Sequence, residues 1–172
     1  MANANVFTGM DGSITIAVDD AASPEGQAAT SVSETFALSP VGRATDVTVQ
    51  VSSAMRPFHE IGQRYATELR PGNVNVTGTM GRAYINGALL RLMLGDGAAG
   101  SRPGSAFVSP TFNLSLLMEN PAKPGQRATM TVHGVKLDGW SFTMPEDDFV
   151  VEQATFKALW IGVSDESEAA GG

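Results

Sequence analysis

Residues 82–94 constrain this chain more than any other stretch. After Arg82, only Asn86, Gly87 and Arg91 interrupt a run of apolar side chains. The spacing predicts a helix over 82–94 with Tyr84, Ile85, Ala88, Leu89 and Leu92 buried and almost no wet face. A helix that is hydrophobic nearly all round must be covered on more than one side. A chain of 172 residues can supply one cover from its own sheet; a neighbouring copy is the natural source of the second. Gly87 in the middle of such a helix costs about 1 kcal/mol relative to alanine, which suggests a close packing contact there. Gly95 provides the stop.

The other periodic segments are short and alternate apolar with polar residues. Residues 13–18 place Ile14, Ile16 and Val18 on one face. Residues 46–51 place Val47, Val49 and Val51 opposite Thr48 and Gln50, and 73–77 place Val74 and Val76 opposite Asn73, Asn75 and Thr77. Half-buried strands have this pattern. Their outer faces are neutral hydroxyls and amides rather than a lysine/glutamate mixture. Further strands are expected at 111–118 and 127–132. Residues 135–137 and 140–144 read as a hairpin joined by Asp138-Gly139. The longest extended segment is 149–163, with a buried end because both faces of 159–163 are apolar. Residues 19–29 are small and polar and read as a loop, and 164–172 as a flexible acidic tail. No repeat or internal break divides the chain, so one domain over 1–172 is expected.

Residues 55–72 do not alternate. They contain Pro57, Pro71, Gly62 and Gly72, the aromatic residues Phe58 and Tyr65, and both charge signs: Arg56, Arg64 and Arg70 with Glu60 and Glu68. A loop this long in a compact domain is usually functional or disordered, and aromatic residues favour docking over disorder. Balanced charge suits a wet, specific protein contact rather than nucleic acid.

Composition excludes several chemistries. There is no cysteine, hence no disulfide, thiolate metal site or cysteine nucleophile. Eleven bases against 18 acids leave a net charge of −7, which opposes attractive nucleic-acid binding. No secretion signal is expected, because no basic region precedes an apolar run at the N-terminus, and the apolar helix is too short to span a bilayer. His59 and His133 are far apart, and neither has a second ligand at metal spacing. Gly95-Asp96-Gly97-Ala98-Ala99-Gly100 matches a dinucleotide fingerprint as a string but follows a helix instead of a strand, which is the wrong context. Glu146-Asp147-Asp148, followed by Glu152, is the one dense carboxylate cluster, and it sits after Pro145 without calcium-loop spacing.

The order of the pieces resembles the tail tube proteins of long-tailed bacteriophages, a family related to the inner tubes of contractile injection systems. The resemblance runs from Phe7-Thr8-Gly9-Met10-Asp11-Gly12-Ser13-Ile14, through the long loop ending at Arg70-Pro71-Gly72 and then Val76-Thr77-Gly78-Thr79-Met80-Gly81-Arg82-Ala83-Tyr84-Ile85. It ends at Phe149-Val150-Val151-Glu152-Gln153-Ala154-Thr155-Phe156-Lys157-Ala158. It implies a mainly β protein, an antiparallel β-sandwich or barrel with one flanking α-helix, assembled as six-membered rings stacked into a hollow tube. Loop 55–72 would then be the inter-ring loop, with Arg56, Phe58, His59, Glu60, Arg64, Tyr65, Glu68 and Arg70 as contact candidates. The resemblance implies no catalytic residue, cofactor or metal. The implied partners are further copies of the chain, a tail terminator, baseplate hub and distal tail proteins, a tape-measure protein, and a sheath if the tail is contractile. The compact chain, lacking a decorating domain, points towards a contractile tail. Double-stranded DNA would pass through the lumen without specific binding, and the protein would reside in the virion tail after synthesis in the bacterial cytoplasm. Two other readings stay open on residues alone. One is a monomeric β-sandwich binding carbohydrate in a groove lined by Trp140 or Trp160. The other is a hydrolase using Glu146, Asp148 or Glu152.

Overall fold

The computed structural model describes residues 6–38, 40–98, 100–102, 107–123 and 125–167. Among them are seven strands: β1 (Gly12–Ala17), β2 (Ala44–Phe58), β3 (Glu68–Ala83), β4 (Phe112–Glu119), β5 (Gln126–Thr143), β6 (Val151–Ala158) and β7 (Trp160–Ser167). There are two α-helices, α1 (Pro24–Phe36) and α2 (Ala88–Leu94). All strand pairings are antiparallel. The mainly β sandwich with a helical flank expected from the sequence is the fold observed.

Two sheets share β5. Its first half lies between β4 and β7 in a sheet ordered β1-β4-β5-β7, and its second half is the border of a sheet ordered β5-β6-β3-β2. The chain changes sheet at a corner where two segments cross. Gly134 has φ +65°, and a Cβ there would lie 2.6 Å from the side chain of Leu159. Only glycine combines that backbone with that approach. At the same corner Leu159 ends β6 before β7 begins, and its N–H donates to the His133 carbonyl at 2.9 Å. Segment 149–163 is therefore two strands in two sheets. Its end is not buried: Leu159, Trp160 and Val163 are exposed.

The core lies between the sheets and under the helices. Val76, Met80, Ala154 and Phe156 from one sheet meet Phe112, Leu114, Val132 and Val135 from the other, and Ala88, Leu89 and Leu92 of α2 close over them. The apolar helix is shorter than its pattern suggests. Arg82 and Ala83 belong to β3, Tyr84 to Gly87 connect, and only Ala88–Leu94 is helical. Tyr84 and Ile85 are consequently exposed, and Gly87 stands at the N-cap with nothing near its Cβ position. That overturns the packing contact expected there. The reason is the sheet: Arg82 pairs with Ala44 and Glu152, which holds the segment extended against its helical periodicity.

Helix α1 replaces most of the expected loop 19–29. Ser23 caps it, its hydroxyl accepting from Gly26 N–H at 3.1 Å, and Pro24 opens the first turn. Gly26 abuts the Asp20 carbonyl so closely that a Cβ would lie 1.8 Å from that oxygen. Gly26, Ala29 and Val32 form its buried stripe. Asp138-Gly139 does not turn a hairpin. It sits in a bulge within β5, with Leu137 still paired to Phe156 and Gly139 to Thr155, so one extra residue is absorbed without reversing the strand. Residues 164–167 complete β7 rather than starting a tail, and 168–172 lie outside the described residues.

Candidate assembly surfaces

The sheet β5-β6-β3-β2 has two unlike faces. Register places Val47, Val49, Met80, Ala154 and Phe156 towards the core. The other face gathers Thr48, Gln50, Thr77, Thr79 and Thr155 around a shallow depression of about 250 Å³ that also takes in Asp138 and Lys157. Thr155 Oγ1 donates to Asp138 Oδ1 at 2.8 Å, and Lys157 Nζ lies 3.7 Å from Asp138 Oδ2. The one lysine in the depression thus faces a carboxylate, and the rest of the lining is largely hydroxyl and amide.

Both borders of this sheet are open among the described residues. Strand β2 pairs only with β3, and residues 136–143 of β5 pair only with β6. From Val47 to Met55 β2 carries no charge, and neither does β5 from Gly139 to Thr143. Such borders accept another strand unless they are blunted. The other sheet is treated differently. Val41 N–H donates to the Ile14 carbonyl beside β1, and β7 carries Asp165 and Glu166.

The expected loop 55–72 is an arm. Strands β2 and β3 stay paired from Val51 opposite Val76 out to Phe58 opposite Glu68, whereas β6 accompanies β3 only from Val76 inward. Past Val76 the ribbon leaves the body with two free edges, which tolerate Pro57 and Pro71. The Thr67 N–H donates to the Phe58 carbonyl at 2.9 Å and closes the tip at 59–67. All eight contact candidates, Arg56, Phe58, His59, Glu60, Arg64, Tyr65, Glu68 and Arg70, lie on this arm and are exposed. Arg56 stands directly opposite Arg70. Arg70 is forked by Glu68 at 3.1 and 3.3 Å, while Arg56 and Arg64 have no ion pair among the described residues.

The far end of the same sheet carries a second exposed apolar group that the sequence reading did not anticipate. Tyr84 meets Phe142 edge-on with ring centroids 5.0 Å apart, and Ile85, Met144 and Phe149 stand exposed near them in the chain. Glu146, Asp147 and Asp148 follow Met144 and Pro145 there.

Of the residues weighed for catalysis or sugar binding, Glu152 and the two tryptophans have partners within the fold, whereas Glu146 and Asp148 stand exposed. Glu152 is buried, 2.5 Å from Arg82 Nε, and accepts a 2.8 Å hydrogen bond from Trp140 Nε1. Arg82 Nη2 also donates to the Asn86 carbonyl and to its side-chain oxygen, which in turn receives the Ala88 N–H. This cluster joins three strands to the start of α2. It does not bring Glu152 to the exposed Glu146 and Asp148. Trp160 stacks on His133 with centroids 3.7 Å apart, and His133 Nδ1 lies 3.3 Å from Asp19. Hydrogen bonding from Asn113, and then from His133, lowers the Asp19 pKa below its ordinary value. A groove of about 560 Å³ runs beside α1, lined by Val32, Phe36, Arg91 and Phe107 among others, and neither tryptophan lines it. No His/Asp/Glu cluster among the described residues could hold a metal ion, and none of their helices is long and apolar enough to cross a membrane.

No protein-family model and no curated protein matches the sequence. Similarity to solved structures is one of fold. The anti-feeding prophage tube-terminating cap aligns at TM-score 0.65 and 10% identity, over 96% of this chain and 95% of that one. An extracellular contractile injection system sheath–tube complex in its extended state aligns at TM-score 0.61 and 10% identity, over 94% and 93%. The SPP1 tail tube aligns at TM-score 0.52 and 12% identity, over 95% and 81%.

Proposed function

We propose that this chain is the repeating subunit of a bacteriophage tail tube, located in the virion tail, in which six-membered rings stack around a bore that conducts double-stranded DNA. The observation that carries the reading is the sheet β5-β6-β3-β2, with two open borders that carry no charge over 47–55 and 139–143, one core face and one hydroxyl-rich face. In a ring, β2 of each copy pairs with residues 136–143 of the next. The sheets then close into one barrel, and closure removes the edges that would otherwise aggregate. The face with Thr48, Gln50, Thr77, Thr79 and Thr155 lines the bore. Lys157 is offset there by Asp138, and Lys136 stands directly opposite Lys157 on the same face. With these lysines set among hydroxyls and amides on a chain of net charge −7, phosphates find few cations to grip and the nucleic acid slides.

The fold likeness over nearly the whole chain to a tail tube and to injection-system components supports this reading. Partners at the tube ends are a terminator and the baseplate hub and distal tail proteins, with a tape-measure protein during assembly and a sheath if the tail contracts. The function is structural. Glu152 sits inside a buried ion pair, out of reach of a substrate, Trp140 is hydrogen-bonded to it, and Trp160, though exposed, stacks on His133 away from the groove beside α1. Negative-stain electron microscopy of the purified protein tests the proposal. Rings or open-ended tubes are expected. A species that stays monomeric at high concentration, unaltered by baseplate or tape-measure partners, contradicts it.

A further inference from the structure

The two exposed apolar groups lie at opposite ends of one sheet. Strand β3 runs from Glu68 at the arm tip to Ala83 at the far end, and its 16 residues span about 50 Å. A subunit cannot reach its own far end with its arm. A second copy displaced along the strand direction can offer that end to it.

Both ends have surface that water alone serves poorly. On the arm Ile61 and Tyr65 project almost fully, and at the far end Phe149 and Met144 are 82% and 71% exposed. Exposed apolar groups of this size mark contact sites when they are contiguous. Charge supplies the complement. The arm carries three arginines against two glutamates, and two of the arginines lack an ion pair among the described residues. Arg56 and Arg70 face each other across the ribbon; Glu68 already joins Arg70, which leaves Arg56 as the member of the pair without an ion pair among the described residues. The far end presents Glu146, Asp147 and Asp148 in a row; of the bases near Ala83, Arg43 is exposed and Arg82 is buried in its pair with Glu152. Glu146 and Asp147 have no ion pair among the described residues.

We infer that the arm of one copy docks on the far end of the sheet in a second copy, its apolar tip on Ile85, Met144 and Phe149, and Arg56 and Arg64 against Glu146 and Asp147. The inference rests on the tube reading and names the receiving surface for its arm. Because donor and receiver are different patches on opposite ends, the contact is heterologous and translates without closing. It therefore builds a column of any length.

A charge swap tests the pairing. One protein carries Arg56→Glu and Arg64→Glu, a second carries Glu146→Lys and Asp147→Lys, and circular dichroism with thermal melting establishes that each is folded. All four positions are exposed, so folding is expected to survive. Each variant alone should give rings with at least a tenfold loss of tubes. An equimolar mixture should restore tubes, since the reversed arm meets the reversed receiver and the native arm the native one. The chain carrying all four substitutions should restore them as well. Wild-type tubes accompanied by undiminished tubes from both variants overturn this docking and leave the tube reading standing. Lost tubes without rescue also overturn it, and point to another occupant of the far end. If the wild-type protein forms no ring or tube, the tube reading itself fails.

Discussion

Arg82 and Glu152 show how a residue can be visible in the sequence and still be misjudged. Glu152 followed a dense carboxylate run and invited a catalytic reading. Yet it alternates with Ala154 and Phe156, and that period alone places it on the buried face. Its partner lies 70 residues away, which no local pattern could supply. Breaking a buried pair by removing one partner strands the other charge and typically costs about 3–5 kcal/mol. Glu152→Gln should therefore lower stability by about that amount in urea denaturation, while Arg82→Met combined with Glu152→Leu should recover much of it. A loss below about 1 kcal/mol would mean that the cluster is not holding α2 to the sheet. At the corner of the sandwich, Asp19 has a lowered pKa, so its contribution to stability is present above its ordinary value of 3.8. That contribution fades as pH falls through the lower folded value. Between about pH 5 and pH 2 the melting temperature of Asp19→Asn should fall less steeply than that of the wild type; parallel curves would contradict the assignment.

At the scale of elements, the short alternating strands were legible and the connections were not. Three errors have separate physical causes. Prolines at 57 and 71 disguised a paired arm as a loop, because a two-stranded ribbon with free edges does not need their missing N–H groups. Asp138-Gly139 carried a turn signal that the ladder to β6 overrode, leaving a bulge. Helix α1 is built from small residues whose buried stripe is only Gly26, Ala29 and Val32, so its apolar period was faint and its signal lay in the cap Ser23-Pro24. The apolar stretch 82–94 was right about burial at Ala88, Leu89 and Leu92 and wrong about length, because strand pairing claimed its first residues. Leu89 has no exposed surface. Leu89→Asp should cost more than about 3 kcal/mol or abolish folding outright, read by circular dichroism and denaturation; a normal melt would refute the helix placement. Removing the outer arm, residues 55–72, should leave the melting temperature within a few degrees of wild type, because nothing of the body packs on it beyond Val76. The same deletion should leave rings unable to stack. A collapse of the fold would show that the arm is part of the body.

For the whole molecule, the candidate surfaces were partly readable. The hydroxyl and amide faces at Thr48, Gln50 and Thr77 stood out from sequence because ordinary outer faces carry more charge. That they share one face with Thr79 and Thr155 depends on strand order, which the chain does not announce locally. The apolar far end is not legible in the sequence, because the pattern puts Tyr84 and Ile85 inside a helix and Phe149 inside a long strand. Only the end of the sheet brings them together with Met144. Among the described residues the fold leaves one sheet open at both borders and apolar at both ends; in the proposed tube a ring of copies would satisfy the first and stacking the second. A cryo-electron microscopy reconstruction of the assembled protein tests this most directly. The account predicts backbone continuity between β2 of one subunit and residues 136–143 of the next, with Thr48, Thr77 and Thr155 facing the bore. A bore lined by the β1-β4-β5-β7 sheet, or subunits whose β2 edge stays unpaired, would contradict it.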